Sequence, residues 1–321
     1  MMRAIGRRVA LALPLAAFGH AARGENAFAS VGSGQPGGIY YPVARAMCQM
    51  VNADPVSTGV LCSPEATPGS AYNADALRSG ELEFGIVQSD IAYAAYNGTD
   101  AWAGKPDKTL RSVFLLHPEL VTIIAREAAH VRELADLSGK RINVGGPGTG
   151  TRATWQAMEA ALGWSGEQVA RKAALKGDAA GNALCAGDID ATLLIVGHPS
   201  GQVRTQLSAC GSNLVAVNGP AITKLLGSAP YLHHGRIPAG LYGQRVDVLT
   251  FGGNAILMTS AETDLHVVAA MAKAVVGNVA ELRIHHPALA QLTAQEMTAG
   301  NFPAPLHPGA LQAFKELGLS V

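Results

Sequence analysis

Leu77-Arg78-Ser79-Gly80-Glu81-Leu82-Glu83 leading into Phe84-Gly85-Ile86-Val87, and Leu184-Cys185-Ala186-Gly187-Asp188-Ile189-Asp190 leading into Ala191-Thr192-Leu193-Leu194, repeat one design. In each, a helix stops on Gly, an acid-aliphatic-acid step follows, and a buried strand begins. Upstream of each lies a glycine-rich loop that opens a helix: Gly32-Ser33-Gly34-Gln35-Pro36-Gly37-Gly38 and Gly145-Gly146-Pro147-Gly148-Thr149-Gly150-Thr151. The chain reads as two similar α/β lobes. Facing each other, such lobes form a cleft with helix N-termini on both walls, a geometry suited to small anions.

Around these stretches the order of elements is regular. Ala27 to Val31 reads as a strand entering the first glycine loop, and Pro42 marks the start of a helix carrying Ala44, Met47, Cys48 and Val51. The strand Phe84 to Val87 precedes a short helix capped by Ser89 or Asp90 and stopped at Asn97-Gly98. Arg111 to Leu116 and Leu120 to Ala125 read as two strands parted by His117-Pro118-Glu119, where the first crossing between lobes is expected. The second lobe runs strand Arg141 to Val144, glycine loop, helix to Gly163, then strand Asp190 to Val196 and a helix opened by Gly197-His198-Pro199-Ser200. Asn213 to Val217 reads as a strand and 227–244 as an ordered loop. The return crossing is expected within Val246 to Met258, whose strand-like runs are broken by Gly252-Gly253, and a long helix follows from about Ala261 to Val276. The expected layout is therefore lobe 1 from 27–117 plus 251–321, with lobe 2, 118–250, inserted. Two crossover segments form a natural hinge, and strand-helix alternation implies mostly parallel sheets with ligands at the carboxyl ends of strands.

Composition sets the outer limits. The 321 residues are 48% hydrophobic and 15% charged, with 24 Lys plus Arg against 24 Asp plus Glu, so two ordinary cores can be buried and no basic surface invites nucleic acid. Met1-Met2-Arg3 with Arg7-Arg8, the apolar run Val9 to Phe18, and Gly19-His20-Ala21-Ala22 form a secretory signal peptide over 1–22, cleaved near Ala21 or Ala22. No later segment has an apolar stretch long enough to cross a bilayer. Export makes pairing of Cys48 with Cys62 and of Cys185 with Cys210 the favoured choice among three connectivities, against the alternative of four separate buried thiols. No zinc spacing is present.

The first loop satisfies G-x-G-x-x-G at Gly32, Gly34 and Gly37, with Asp54 near the offset of a ribose acid. Pro36, the pair Tyr40-Tyr41 and the absence of free nicotinamide cofactors outside the cytoplasm argue against a dinucleotide, and no cofactor is expected. The second loop has Thr151-Arg152 where a phosphate-binding loop needs Lys. Both loops can present backbone amides to a carboxylate, with Ser33, Thr149 and Thr151 as short donors and glycines such as Gly34 and Gly150 allowing close approach; the plain alternative is a pair of tight turns. Gln88 ends a strand facing the cleft, where it can donate and accept. Asp90 reads as a helix cap before a ligand contact. His198 ends the matching strand of lobe 2, with a structural role before Pro199 equally open. His233-His234 and His285-His286 fall in loops without acidic partners, and no G-x-S-x-G, H-E-x-x-H or C-x-x-C is present, so no catalysis is expected.

At these residues the chain resembles the TAXI family, the extracytoplasmic solute receptors of tripartite ATP-independent periplasmic (TRAP) transporters. The matching stretches are Gly37-Gly38-Ile39-Tyr40-Tyr41-Pro42, Phe84 through Asp90, Asn143-Val144-Gly145 with Gly148 through Arg152, and Ile189-Asp190-Ala191 leading to Gly197-His198-Pro199. The resemblance implies a type II periplasmic-binding-protein fold that closes like a Venus flytrap, a periplasmic location, and delivery of a small carboxylate such as glutamate or 2-oxoglutarate to a TRAP permease by a monomer. By position it assigns ligand contacts to Ser33, Gly38, Tyr40, Gln88, Thr149, Gly150 and Thr151; Gly34, Arg152 and His198 join them from the loop chemistry. Ile39, where many members carry Thr, and Gln35-Pro36 depart from the family pattern. The competing readings are a receptor for an ATP-driven (ABC) importer and a secreted α/β enzyme.

Overall fold

The computed structural model describes residues 26–165 and 168–320. The signal peptide expected over 1–22 lies outside them. In the first half the chain runs β1 (Ala27–Gly32), α1 (Tyr40–Val51), α2 (Pro55–Thr58), β2 (Val60–Glu65), α3 (Ser70–Ser79), β3 (Phe84–Gln88), α4 (Ser89–Asn97) and the long β4 (Leu110–Arg126). The second half follows as β5 (Arg141–Asn143), α5 (Gly150–Leu162), β6 (Arg171–Ala173), α6 (Asp178–Ala186), β7 (Ala191–Val196), α7 (Gly201–Ala209), β8 (Ser212–Val215), α8 (Pro220–Ser228) and β9 (His233–Ile237). The long β10 (Val248–Ser260) returns to the first half, which α9 (Leu265–Val276), α10 (Val279–Ile284), α11 (Ala294–Thr298) and α12 (Pro308–Glu316) complete.

The strands form one sheet in the order β2-β1-β3-β10-β4-β7-β5-β6, with β8 on β4 and β9 on β10. Each lobe has a parallel trio, β2-β1-β3 and β7-β5-β6. Between the trios lie β10 and β4, antiparallel to each other and to β3 and β7. Helices cover both faces, as a sheet buried on two sides requires. Met47, Val268 and Phe314 pack α1, α9 and α12 on one side of the first half, while Leu77, Ile91 and Trp102 belong to a core on the other. Ile142, Val144, Trp155 and Met158 fill the core of the second half.

The two repeated stretches do what their sequence implies. Gly80 and Gly187 end α3 and α6 in the left-handed region, at φ 72° and 82°. Phe84 and Ala191 then enter buried strands. The cystines Cys48–Cys62 and Cys185–Cys210 form as paired above, each inside one lobe. By restricting the unfolded chain, each contributes about 3 kcal/mol.

Three local readings are corrected. His117-Pro118-Glu119 does not interrupt a strand, because β4 is continuous over 17 residues. Pro118 lacks an N–H, but it stands opposite Asn254, where the β4–β10 ladder is already irregular. Gly252-Gly253 likewise lies inside an unbroken β10. A Cβ at Gly252 would strike the Glu119 carbonyl, and one at Gly253 the Ser89 hydroxyl. These glycines permit close approach of chains rather than ending a strand. The stretch 227–244 contains β9, which places His233 and His234 on a strand paired with β10. Its lack of apolar period follows from an exposed edge position held by backbone hydrogen bonds.

Gly252→Ala is expected to destabilise the protein by about 1–3 kcal/mol through overpacking against backbone that cannot move aside. Gly201→Ala, with open space around its Cα, serves as the control; urea unfolding followed by circular dichroism measures both.

Candidate functional site

The two glycine loops end at α1 and α5. The first is anchored by Ser33, whose hydroxyl donates to the Glu65 carbonyl at 2.6 Å. Helix α1 then starts at Tyr40 with no side chain capping its N-terminus, so its first amides have no partner within the helix. In the second loop, Thr149 caps α5 by accepting from the Arg152 N–H at 3.2 Å and donates to the Gly146 carbonyl at 2.7 Å. The Arg152 Nε donates to the Gly145 carbonyl at 2.9 Å. Gly145 and Gly148 adopt φ of 79° and 75°, which L side chains rarely tolerate. Hydroxyl and guanidinium thus brace the loop at the head of α5.

Each loop lies against the opposite half. Tyr72 N–H, in the first half, donates to the Gly148 carbonyl at 3.3 Å. A Cβ at Gly177 would lie 3.6 Å from Gln35 Oε1, and a Cβ at Gly150 would collide with the Gln88 amide. Gln88 Nε2 donates to Thr154 Oγ1 at 3.2 Å and to Asp90 Oδ1 at 3.3 Å, while Thr154 donates to Asp90 Oδ2 at 2.7 Å. The lobes are therefore closed on one another. The cavity bounded by Gln88, Asp90, Glu119, Thr154 and Asn254 holds about 10 Å³, close to the space of one water. A metabolite enters only if the lobes part.

The base of this junction is polar and deeply buried. Tyr40 Oη donates to Glu119 Oε2 at 2.5 Å, and Glu119 is only 4% exposed. Burial, reinforced by the Glu119 charge, holds the Tyr40 phenol well above its ordinary value. His117 is fully buried beside Tyr40, its Nε2 3.7 Å from the other Glu119 oxygen. Burial also pushes the Asp90 carboxyl up to about 6, opposing the hydrogen bonds from Thr154 and Ile91 that favour its charge. Behind the strands, an open groove of about 390 Å³ runs between Tyr231, His233, Asn254, Gln291 and Asn301. No Lys or Arg lines it among the described residues.

Residues 31–318 match the NMT1-like family. The chain belongs to that family. Its fold is the two-lobe α/β fold of periplasmic binding proteins. A protein from Bordetella bronchiseptica RB50 superposes with a TM-score of 0.58 at 14% identity, over 92% of this chain and 99% of its own. MatC from Rhodopseudomonas palustris, solved with bound malate, gives 0.54 at 17% identity over 91% and 96%. A Listeria monocytogenes protein described as an L-cystine ABC transporter gives 0.53 at 11% identity over 84% and 99%. The TAXI assignment drawn from the loop motifs is finer than this family match.

Within this NMT1-like fold the residues singled out from sequence divide into two groups. Gly38 lies in the first turn and Thr149, Gly150, Thr151 and Arg152 in or just after the second, with Gln88 against Gly150, and Gly34 packs against Tyr40, where a Cβ would sit 3.4 Å from the Tyr40 Cβ. Ser33 and His198 are spent on the fold. Ser33 is 0% exposed with its hydroxyl committed to Glu65. His198, before a cis Pro199, has Nε2 at 3.0 Å from Thr122 Oγ1 and Nδ1 at 2.7 Å from Tyr242 Oη. Burial lowers its pKa to about 4, so the ring is neutral at pH 7. Tyr40 meets Glu119 at the base of the junction instead of walling a ligand. Asp90 both opens α4 and reaches Thr154 across the junction. Glu119, Thr154 and His117 were not singled out; the visible signal is a His-Pro-Glu embedded in a long apolar strand.

A raised Asp90 pKa means the folded state prefers the neutral acid, so this group's stabilisation is full below about 4 and is lost as pH rises through about 6. His198 acts oppositely, its contribution being present above its ordinary pKa of 6.5 and lost toward 4. The difference between Asp90→Asn and the parent isolates the first effect. The variant is expected to melt higher above pH 6 and to lose that margin by pH 4; thermal unfolding from pH 4 to 8 checks it.

Proposed function

We propose that this NMT1-like protein is a periplasmic receptor that takes a small organic acid between its lobes and presents it to an ATP-driven importer, performing no chemistry on it. The observation that carries the reading is the seating of the second glycine turn against the first half, with the Tyr72 N–H of α3 donating to the Gly148 carbonyl and Gln88, at the end of β3, lying on Gly150. The head of α5 and the glycine amides of its turn sit at the junction between the halves, a setting that suits a carboxylate that must be desolvated and re-satisfied by fixed donors. The malate-bound MatC shares the fold. Closure needs no motor in this protein: a solute that contacts both turns favours the closed state by the free energy of those extra contacts.

The family match and the L-cystine ABC transporter description of one structural neighbour favour an ATP-driven partner. The second reading, a TRAP permease driven by an ion gradient, rests on the ordered motifs Gly37 to Pro42, Phe84 to Asp90 and Gly148 to Arg152. Uptake by the reconstituted receptor and importer separates them. Transport that requires ATP supports the first, and transport that follows a sodium or proton gradient without ATP supports the second.

Thr151→Val removes one hydroxyl from the second turn while leaving the Thr149 cap in place. It is expected to weaken binding of an organic acid about three- to tenfold, the worth of one hydrogen bond, with little change in melting temperature. Isothermal titration calorimetry on refolded protein reads the affinity, and mass spectrometry of the recovered solute is expected to show it unaltered.

A further inference from the structure

The open groove behind the strands, about 390 Å³, has the size of a small-molecule pocket and plays no part in the cleft. Both halves of the chain wall it. Tyr231 and His233 come from the entry to β9, while Gln291, Glu296 and Asn301 flank or belong to α11. Asn301 Nδ2 donates to the Pro230 carbonyl at 3.3 Å and ties the two walls together. The floor is apolar, Leu115 and Leu116, save for His117. That ring is 0% exposed, and neither of its nitrogens has a hydrogen-bond partner. Glu119 does not account for it: the nearer carboxylate oxygen stands 3.7 Å from Nε2, beyond bonding reach, and Nδ1 points away from it. Burying an imidazole without partners is costly. The chain nevertheless keeps room for the ring, since a Cβ at Gly197 would lie 2.5 Å from His117 Cδ2.

The charge of the lining narrows what can satisfy this floor. No Lys or Arg faces the groove among the described residues, and its one carboxylate, Glu296, is taken up in the Thr293 cap of α11. A carboxylate or ammonium brought to the floor would shed its water with no opposite charge to meet. A hydroxyl both donates and accepts, so hydroxyls fit the one donor and one acceptor of a neutral imidazole and the amides of Asn254, Gln291 and Asn301 around it.

We propose that the groove is a second binding site, for an uncharged polyhydroxylated solute of sugar or polyol type whose hydroxyls satisfy His117. Reaching a ring closed off from solvent takes the turning of a lining side chain, and Gln291, on the exposed rim, is free to swing aside. Cleft and groove thereby sort solutes by charge: helix-end amides for an acid, imidazole and side-chain amides for a neutral molecule.

Xylose, glucose, galactose, cellobiose, mannitol and myo-inositol, screened by thermal shift on refolded protein, test it, and the best binder is then titrated calorimetrically beside its amine- and acid-bearing forms. The neutral molecule is expected to bind at least about tenfold tighter than either charged form, because each carries an ion that the groove cannot pair. His117→Phe is expected to weaken it at least about tenfold, the worth of two hydrogen bonds, while circular dichroism and melting temperature show the fold kept. Should that variant fail to fold, a crystal structure of the parent with the bound sugar or polyol carries the test, with density expected beside Leu115, His117 and Tyr231. Absence of binding by every neutral member, tighter binding of a charged form, an affinity unchanged in His117→Phe, or density outside the groove overturns the assignment. The Thr151→Val titration with an organic acid reads the cleft separately.

Discussion

The antiparallel ladder between β4 and β10 is the constraint on which the molecule depends. These two strands, 17 and 13 residues long, are the segments along which the chain passes from one parallel trio to the other and back. Gly252 presents no side chain to the Glu119 carbonyl of β4, and Gly253 in the same way leaves room for Ser89 at the head of α4. The ladder carries Glu119 and Asn254 into the lining of one small cavity with Asp90 and Thr154. The ladder shifts register near Asn254 and again near Met258. Backbone pairing is already interrupted there, so bending at those points sacrifices the fewest hydrogen bonds.

Above this floor the polarity is divided. The glycine turns offer partial positive charge from helix ends, and the base offers the buried carboxylates of Asp90 and Glu119, the first pushed up by burial. Such a division costs stability, since a half-buried Asp90 prefers to be neutral and a fully buried His117 goes unpartnered. Strain of this kind, gathered where two lobes meet, is the expected signature of a place that serves binding rather than folding.

Much of this architecture was legible in the chain. The helix-stop glycines, the acid-aliphatic-acid steps and the glycine loops are local features, each decided by a few neighbouring residues, and they placed the ends of α3 and α6, the strands β3 and β7 and the starts of α1 and α5 where the structure has them. The cystines followed from their separation within each lobe. Less legible was whatever depends on distant partners. Pro118 and the Gly252-Gly253 pair read as breaks because their tolerance comes from the strand opposite. β9 carries no apolar period because it pairs through backbone at an edge. Ser33 and His198 looked available because Glu65, Thr122 and Tyr242, which occupy them, lie far away in sequence. Glu119 was hidden because a buried carboxylate in an apolar strand declares itself only through the Tyr40 hydroxyl that meets it.

The central claim is that a solute is held between the two glycine turns. The most direct measurement is a crystal structure of refolded protein saturated with an organic acid that raises its melting temperature. The account predicts solute density touching Gly38 on one side and Gly150 or Thr151 on the other. Density confined to the groove behind the strands, beside Tyr231 and Asn301, would contradict it.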